Sequence, residues 1–464
     1  MRALMIFKAY DIRGIVPTQL DADIAYGIGR AAAAFLEADD IAVGRDARTH
    51  SPELAEALIE GIRDEGVDVV DLGLISTPML YFAVDHLDSG AGIMVTASHN
   101  PGQYNGFKLC REHAIPVGEA SGLKDIEALT GSRAGAQPVS PRGELRVEAV
   151  LDAYLDHVLA IASGRPKLKV AIDCGNGMAG RALEPLLERL PLEVERLYFE
   201  PDGTFPNHEA DPLKLENLED LIQAVKRTGA DFGVAFDGDG DRACFVDEKG
   251  DPISSDLMTA LLARHLLKRA PRGRVLYDLR SSRAVAEEIT AAGGRPAMCR
   301  VGHSFVKAQM REQGAVFAGE LSGHFYFRFS DKLVADDGTA AFMVLLSVLA
   351  EAKKKPLSKL VEPLRRYSAS GEINRKVADV SRVLKAIEAE HTPEPQVEGA
   401  PEVEGAPEIL KLDGLLVRYP EWWFNLRPSN TEPVLRLNLE ADTPERMIAE
   451  RDRMLARIEE LGRD

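Results

Sequence analysis

Cysteine is scarce in this chain. Cys110, Cys174, Cys244 and Cys299 lie far apart with no Cys-x-x-Cys spacing, which excludes a disulfide scaffold and a cysteine-rich zinc site. Long apolar runs are missing too. The longest, residues 340–350, carries a serine and is about half the length needed to cross a bilayer. The opening MRALMIFKAYDIRG has charges and a glycine where a signal peptide needs an unbroken apolar stretch. Nor is there an excess of positive charge: 56 Lys and Arg face 74 Asp and Glu, a net charge of -18. That balance argues against a nucleic-acid binder gripping phosphates through a basic face, and leaves room for a local basic pocket. The expectation is a soluble, cytoplasmic protein with neither membrane nor nucleic acid as partner.

What is present is ample core material. The chain has 464 residues, 45% hydrophobic and 28% charged, enough for about three domains at roughly 150 residues each, with two to four compatible. Amphipathic helical stretches (residues 19–37, 52–64, 215–227 and 256–268) alternate with short β-rich runs (41–43, 67–72, 93–95, 168–172, 233–236, 275–277 and 316–318). Such alternation predicts helices packed on largely parallel sheets, an α/β class whose chemistry collects beyond the carboxyl ends of strands. Composition predicts a linker at 131–143, before a helical pattern from Val147, and breaks near 248–252 and 368–371. The expected domains are therefore 1–143, 144–250, 251–368 and 369–464. The last differs from the others in the order of its elements. It contains the acidic repeat VEGAPE at 397–402 and 403–408, read as a surface loop with no chemical role.

Four motifs carry chemistry. Asp237, Asp239 and Asp241, separated by glycines and followed by Arg242, let a loop aim three carboxylates at one centre, as a hard divalent cation requires. An EF-hand does not fit, because Arg242 stands where that loop needs glycine and a strand leads in. Thr96-Ala-Ser98-His99-Asn100-Pro101 offers either an exposed nucleophile or a helix N-cap. No Gly-x-Ser-x-Gly elbow accompanies it, which counts against acyl transfer. Gly319-Glu320-Leu321-Ser322-Gly323-His324 is either a polyol-reading loop or a polar hairpin. Arg427-Pro428-Ser429-Asn430-Thr431-Glu432-Pro433 has the makings of a phosphate cradle or of a simple capped turn. With one motif in each expected domain, the arrangement predicts a cleft between domains that closes over a phosphorylated sugar.

TASHNP, DGDGDR, GELSGH and RPSNTEP, in this order, together with FKAYDIRG, YNGFK and DGTFPNHEADP, resemble the α-D-phosphohexomutase superfamily from about Phe7 to Leu437. The resemblance implies three related α/β domains with mixed sheets and a C-terminal TATA-box-binding-like α+β domain around a central cleft. It implies that Ser98 is phosphorylated and that Asp237, Asp239 and Asp241 hold Mg2+ with a phosphoserine oxygen. It further implies transfer of phosphate between O1 and O6 of a hexose through a 1,6-bisphosphate, with glucose or mannose 1,6-bisphosphate as activator. Glu320, Ser322 and His324 would read ring hydroxyls, and Arg427, Ser429, Asn430 and Thr431 would grip the phosphate that is not reacting. Tyr10, Arg13, Arg280 and His303 would line the cleft, Arg242 would hold a phosphate, and Lys108 or His324 would move the proton. Arg280 stands where some members carry lysine and is a poor general base.

Thr96 and Asn430 resemble the phosphomannomutase and dual phosphomannomutase/phosphoglucomutase group, in which mannose and glucose differ only at C2. A phosphoglucosamine mutase is the alternative within the class. A non-catalytic sugar-phosphate-binding protein, monomeric or homodimeric like the mutase, is the alternative outside it.

Overall fold

The computed structural model describes residues 6–133, 135, 137–392, 406–428 and 434–462. The acidic repeat up to residue 405, and Ser429, Asn430 and Thr431, lie outside them.

Four sheets organise the chain. In the first, strands Ile12–Ile15, Tyr104–Arg111, Ala91–Val95, Asp40–Arg45, Asp68–Leu74 and Leu145–Val147 lie side by side in that order. The first two junctions are antiparallel and the rest parallel. The second sheet runs Pro252–Ile253, Ala243–Asp247, Phe232–Phe236, Lys169–Asp173, Glu193–Leu197. The third runs Val334–Asp336, Phe325–Arg328, Ala315–Gly319, Arg274–Asp278, Arg295–Cys299. Both repeat the first sheet's pattern of two antiparallel junctions followed by parallel ones. The three units are thus one architecture without a visible sequence repeat. The fourth sheet is antiparallel at every pairing. The helices Val380–His391 and Pro444–Gly462 contribute Val383, Ile387, Met454 and Ile458 to its core.

Central strands such as Ala91–Val95 and Phe232–Phe236 are buried at every position, which explains their unbroken apolar runs: both faces are covered by helices. The helical pattern expected from Val147 begins later, at Leu151. Residues Leu145–Val147 instead pair with Val69–Asp71 at the sheet edge, where backbone hydrogen bonds outweigh the preference of three exposed side chains. One continuous core joins the first three units, running from Met79 and Leu80 through Tyr154 and Phe232 to Phe342. The fourth unit keeps its own core and touches the third through Leu279, Leu416 and Trp423.

The apolar run 340–350 lies in the helix Gly338–Glu351, buried from Gly338 to Leu349. Among the described residues no helix is long and apolar enough to cross a membrane. Asp337 caps this helix, accepting from Ala340 N at 2.8 Å and from the Tyr154 hydroxyl at 2.9 Å, so it also ties the third unit to the second. Burial pushes its carboxyl from 3.8 up to about 7. The folded protein therefore binds this proton more tightly than the unfolded chain does. The resulting stability is whole below the unfolded value and is lost as pH rises through the folded one, at most about 4 kcal/mol. Between about pH 5 and about pH 8, wild type should lose several degrees of apparent unfolding temperature relative to Asp337→Asn. Parallel pH profiles for the two proteins would show that Asp337 does not titrate in that window.

Candidate active site

The three leading motifs occupy one topological position. Residues 96–103 connect Ala91–Val95 to Tyr104–Arg111, residues 237–242 connect Phe232–Phe236 to Ala243–Asp247, and residues 320–324 connect Ala315–Gly319 to Phe325–Arg328. Each leaves the carboxyl end of a strand with parallel and antiparallel neighbours, where backbone pairing runs out and polar groups stay available. The fourth motif begins with Arg427 and Pro428 at the carboxyl end of the strand Trp422–Pro428 and runs on toward Val434–Ala441 in sequence.

Ser98 is 1% exposed and adopts φ 50°, the left-handed region. Its hydroxyl donates to Asp237 Oδ2 at 2.8 Å, and its Oγ lies 3.1 Å from His99 Nδ1, so these sequence neighbours share a contact. The approach between the loops is backbone-close: a β-carbon on Gly238 would lie 2.4 Å from the Ser98 carbonyl oxygen. Asp237 curls its own loop by accepting Gly240 N and Arg242 N, each at 3.1 Å. Lys108 Nζ donates to Asp239 Oδ2 at 2.7 Å and Asp241 Oδ2 at 2.5 Å. The Thr77 hydroxyl donates to Asp239 Oδ2 at 2.6 Å.

Asp237, Asp239 and Asp241 are buried, and oxygens from all three lie within 4.8 Å of one another. Asp239 Oδ1 has no hydrogen-bond partner. Asp241 Oδ1 is likewise without one, and three hard oxygen donors, two of them with an unsatisfied oxygen, fit a divalent cation. Burial, and then the Asp241 and Asp239 charges, push the Asp237 carboxyl well above the carboxylate range. Burial acts the same way on Asp241, but Lys108, His324 and Arg242 overcome it and hold that carboxyl well below. For Lys108, burial is outweighed by Asp239 and Asp241, which raise its value and keep it an ammonium.

The second and third motifs join edge to edge through an Arg242–His324 bridge. Arg242 Nε donates to His324 Nε2 at 3.3 Å, and Ser322 Oγ lies 3.0 Å from His324 Nδ1. Glu320 is more committed than a free sugar reader would be, since it accepts Gly302 N at 2.8 Å and the Tyr326 hydroxyl. Arg13 donates to Ala97 O at 3.2 Å and to Asn100 Oδ1, buttressing the serine loop. Tyr10 donates to Val301 O at 3.2 Å. Burial, then Lys307 and Lys108, keep His303 well below the usual imidazole value and neutral, and neither ring nitrogen has a partner. Arg280 is bound to Asp278, with Nη2–Oδ2 at 2.7 Å.

Tyr10, Arg13, His99, Lys108, Arg242, Arg280, His303, Glu320, Ser322, His324 and Arg427 line one cleft of about 760 Å³, and the buried Ser98, Asp237, Asp239 and Asp241 are joined to its wall through His99, Lys108 and Arg242. Eight Lys and Arg face four Asp and Glu there, in a chain of net charge -18. A local positive field in an acidic protein selects small anions over polyanions. Sequence reasoning missed Lys8, Arg300, Glu372, Asp413 and Arg436, all cleft-lining. Glu372 lies 3.4 Å from Arg427, 3.4 Å from Arg436 and 3.7 Å from Arg280, and Asp413 is 3.7 Å from Arg427. Lys8 belongs to the FKAYDIRG segment; no local pattern marks the others, because Glu372 and Asp413 meet Arg427 and Arg436 only when the fourth unit folds, and Glu372 meets Arg280 only when that unit joins the third.

Comparison with known proteins gives the same picture along the whole chain. Residues 4–134, 152–250 and 254–367 match the phosphoglucomutase/phosphomannomutase alpha/beta/alpha domains I, II and III, and residues 372–457 match the C-terminal domain. A phosphomannomutase of Escherichia coli is 39% identical over 455 residues, covering 96% of this chain and 97% of the relative. A phosphomannomutase/phosphoglucomutase of Pseudomonas syringae is 40% identical, covering 94% and 91%. The crystal structure of a phosphoglucomutase/phosphomannomutase family protein from Burkholderia thailandensis superposes with a TM-score of 0.88 at 34% identity, covering 99% and 98%. With four domains matched in order and one cleft built from all of them, the chain belongs to the phosphoglucomutase/phosphomannomutase family.

Proposed function

We propose that the protein is a phosphohexomutase that interconverts the 6-phosphate and 1-phosphate of mannose, glucose or both through a phosphoserine and a 1,6-bisphosphate. The observation that carries this reading is the contact of the Ser98 hydroxyl with Asp237 at 2.8 Å, in a buried carboxylate cluster paired with Lys108 and Arg242 of a basic cleft.

Phosphoryl transfer needs little covalent help from a protein; positioning and charge neutralisation do most of it. Asp237, Asp239, Asp241 and a phosphoserine oxygen would hold Mg2+, which supplies neutralisation of the transferring group. In the forward step a hexose hydroxyl oxygen attacks the phosphorus on Ser98. The P–Oγ bond breaks as the new P–O bond forms, and the hydroxyl proton passes to His324. Lys108 is the weaker acceptor, because Asp239 and Asp241 keep it protonated. It serves instead as a fixed positive charge beside the transferring phosphoryl group, as does Arg242. The bisphosphate then turns around, and its other phosphoryl group returns to Ser98 Oγ.

Arg427, with Ser429, Asn430 and Thr431, grips the distal phosphate, and Arg280, His303 and Tyr10 line its path. Glu320, Ser322 and His324 read ring hydroxyls that mannose and glucose present alike. Glucose or mannose 1,6-bisphosphate would prime the serine.

Ser98→Ala should lower turnover by about four orders of magnitude while leaving the fold intact; near-full activity in this variant would sink the phosphoserine route. Phosphorus NMR with Mg2+ and a trace of glucose 1,6-bisphosphate should show conversion of mannose and glucose 1-phosphates but not of glucosamine 1-phosphate. Conversion of glucosamine 1-phosphate alone would reassign the substrate. Asp239→Asn should weaken Mn2+ binding, followed by electron paramagnetic resonance, by about 100-fold. An unchanged titration would remove Asp239 from the metal site.

A further inference from the structure

Arg48 lies outside every motif that carries the chemistry, just past the strand Asp40–Arg45. Its side chain is buried, 1% exposed overall. The guanidinium is spent on the backbone of the serine loop. Nη2 donates to the carbonyls of Ser98 at 2.7 Å and Asn100 at 2.6 Å, and Nη1 to those of Pro101 at 2.9 Å and Tyr104 at 3.0 Å. Nε faces Asp46 Oδ2 at 3.2 Å, and Asp46 in turn accepts Arg48 N at 3.0 Å. The other side of the group meets the second unit. The Phe205 ring lies 5.0 Å from the guanidinium carbon, and a β-carbon on Gly203 would sit 2.3 Å from Arg48 Cα.

Ser98 needs such a clamp. At φ 50° an L-residue pays roughly 1–2 kcal/mol for crowding between its β-carbon and the carbonyl. A strained conformer of this kind persists only where its surroundings over-determine it. Thr96 Oγ1 holds the Ser98 N–H at 2.9 Å, which fixes one side of the residue. Arg48 fixes the other, binding the carbonyl of Ser98 and three further carbonyls downstream. Released from that fork, Ser98 can relax to negative φ, which swings Oγ away from Asp237. Only a planar guanidinium holds several carbonyls in fixed directions at once; an ammonium is a point charge without that geometry.

We infer that Arg48 is a positioning residue for Ser98: it holds the nucleophile loop in its left-handed conformation and locks that loop against the second domain. The kinetic consequence rests on the proposed mutase reading, whereas the structural consequence does not.

The test compares Arg48→Ala and Arg48→Lys with Arg30→Ala. Arg30 is also 1% exposed and is paired with Glu65 at 2.7 Å in the same unit, so its loss controls for general destabilisation. Hydrogen exchange over residues 96–105 should be faster in both Arg48 variants than in Arg30→Ala at matched unfolding temperature. Arg48→Ala should lose about 100-fold in kcat with KM moved less than about threefold, and its Ser98 should accept phosphate from glucose 1,6-bisphosphate correspondingly slowly. Free guanidinium ion should restore part of that rate to Arg48→Ala and none to Arg30→Ala. Should Arg48→Ala fail to accumulate folded, Arg48→Lys carries the comparison. Unchanged exchange over 96–105 would overturn the inference. So would a loss of activity that guanidinium does not relieve and that Arg30→Ala reproduces. A wild-type protein that turns over no hexose phosphate would instead refute the mutase reading, and the exchange measurement would still decide the role of Arg48.

Discussion

Three aspartates of a single loop are buried within 4.8 Å of one another, and this crowding is the constraint around which the cleft is built. Like charges at that distance, removed from water, are tolerable only where a carboxyl takes up a proton, the direction in which Asp237 is pushed, or where positive charge comes from the protein or a bound cation. Lys108 supplies positive charge from a strand of the first domain and Arg242 from the second, while His324 of the third lies 3.3 Å from Asp241 Oδ1. The ionic cluster therefore does what apolar packing cannot. It requires three domains to be in register at once, and it leaves an oxygen of Asp239 unsatisfied where a divalent cation is wanted.

Repetition of one sheet architecture explains how three unrelated loops came to face the same point. Each motif follows the same strand of its sheet and precedes an antiparallel neighbour, so each is delivered to the same end of its domain. The shared apolar core then holds those ends together. The fourth domain stands apart in core and in topology, and it meets the third through a small apolar cluster and through hydrogen bonds from Arg283 to Tyr419 O, Pro420 O and Glu440. A domain with a core of its own can shift as one body, the kind of motion that opens and closes a cleft. Glu372 and Asp413 give Arg427 and Arg436 counter-charges within the protein.

Field and fold are complementary. The overall negative charge keeps the surface unattractive to polyanions, while the concentration of guanidinium and ammonium groups in the cleft draws small phosphates inward. Enclosure by low-dielectric walls strengthens each of those contacts beyond its value in water.

Much of this was legible along the chain. Alternating periodicities announced α/β domains, and strand-end punctuation singled out Ser98, Asp237, Asp239, Asp241, Glu320 and Arg427, because loops that bind small ligands need glycines and polar side chains in short, dense runs. Local patterns are dictated by backbone sterics and side-chain period, so they survive without knowledge of the fold. Other features had no local signature. Arg48 reads as one more surface arginine until its guanidinium is seen to hold four carbonyls fifty residues away. Glu372 and Asp413 meet Arg427 and Arg436 only once the fourth domain has folded, and Glu372 reaches Arg280 across a domain junction. That Lys108 remains an ammonium despite its burial follows from Asp239 and Asp241, brought to it from another domain. The residue types and their local order were determined by the sequence; which charges meet, and hence which protonation states and strained conformers are stable, was decided by tertiary structure, because electrostatic energy depends on distance and burial rather than on separation along the chain.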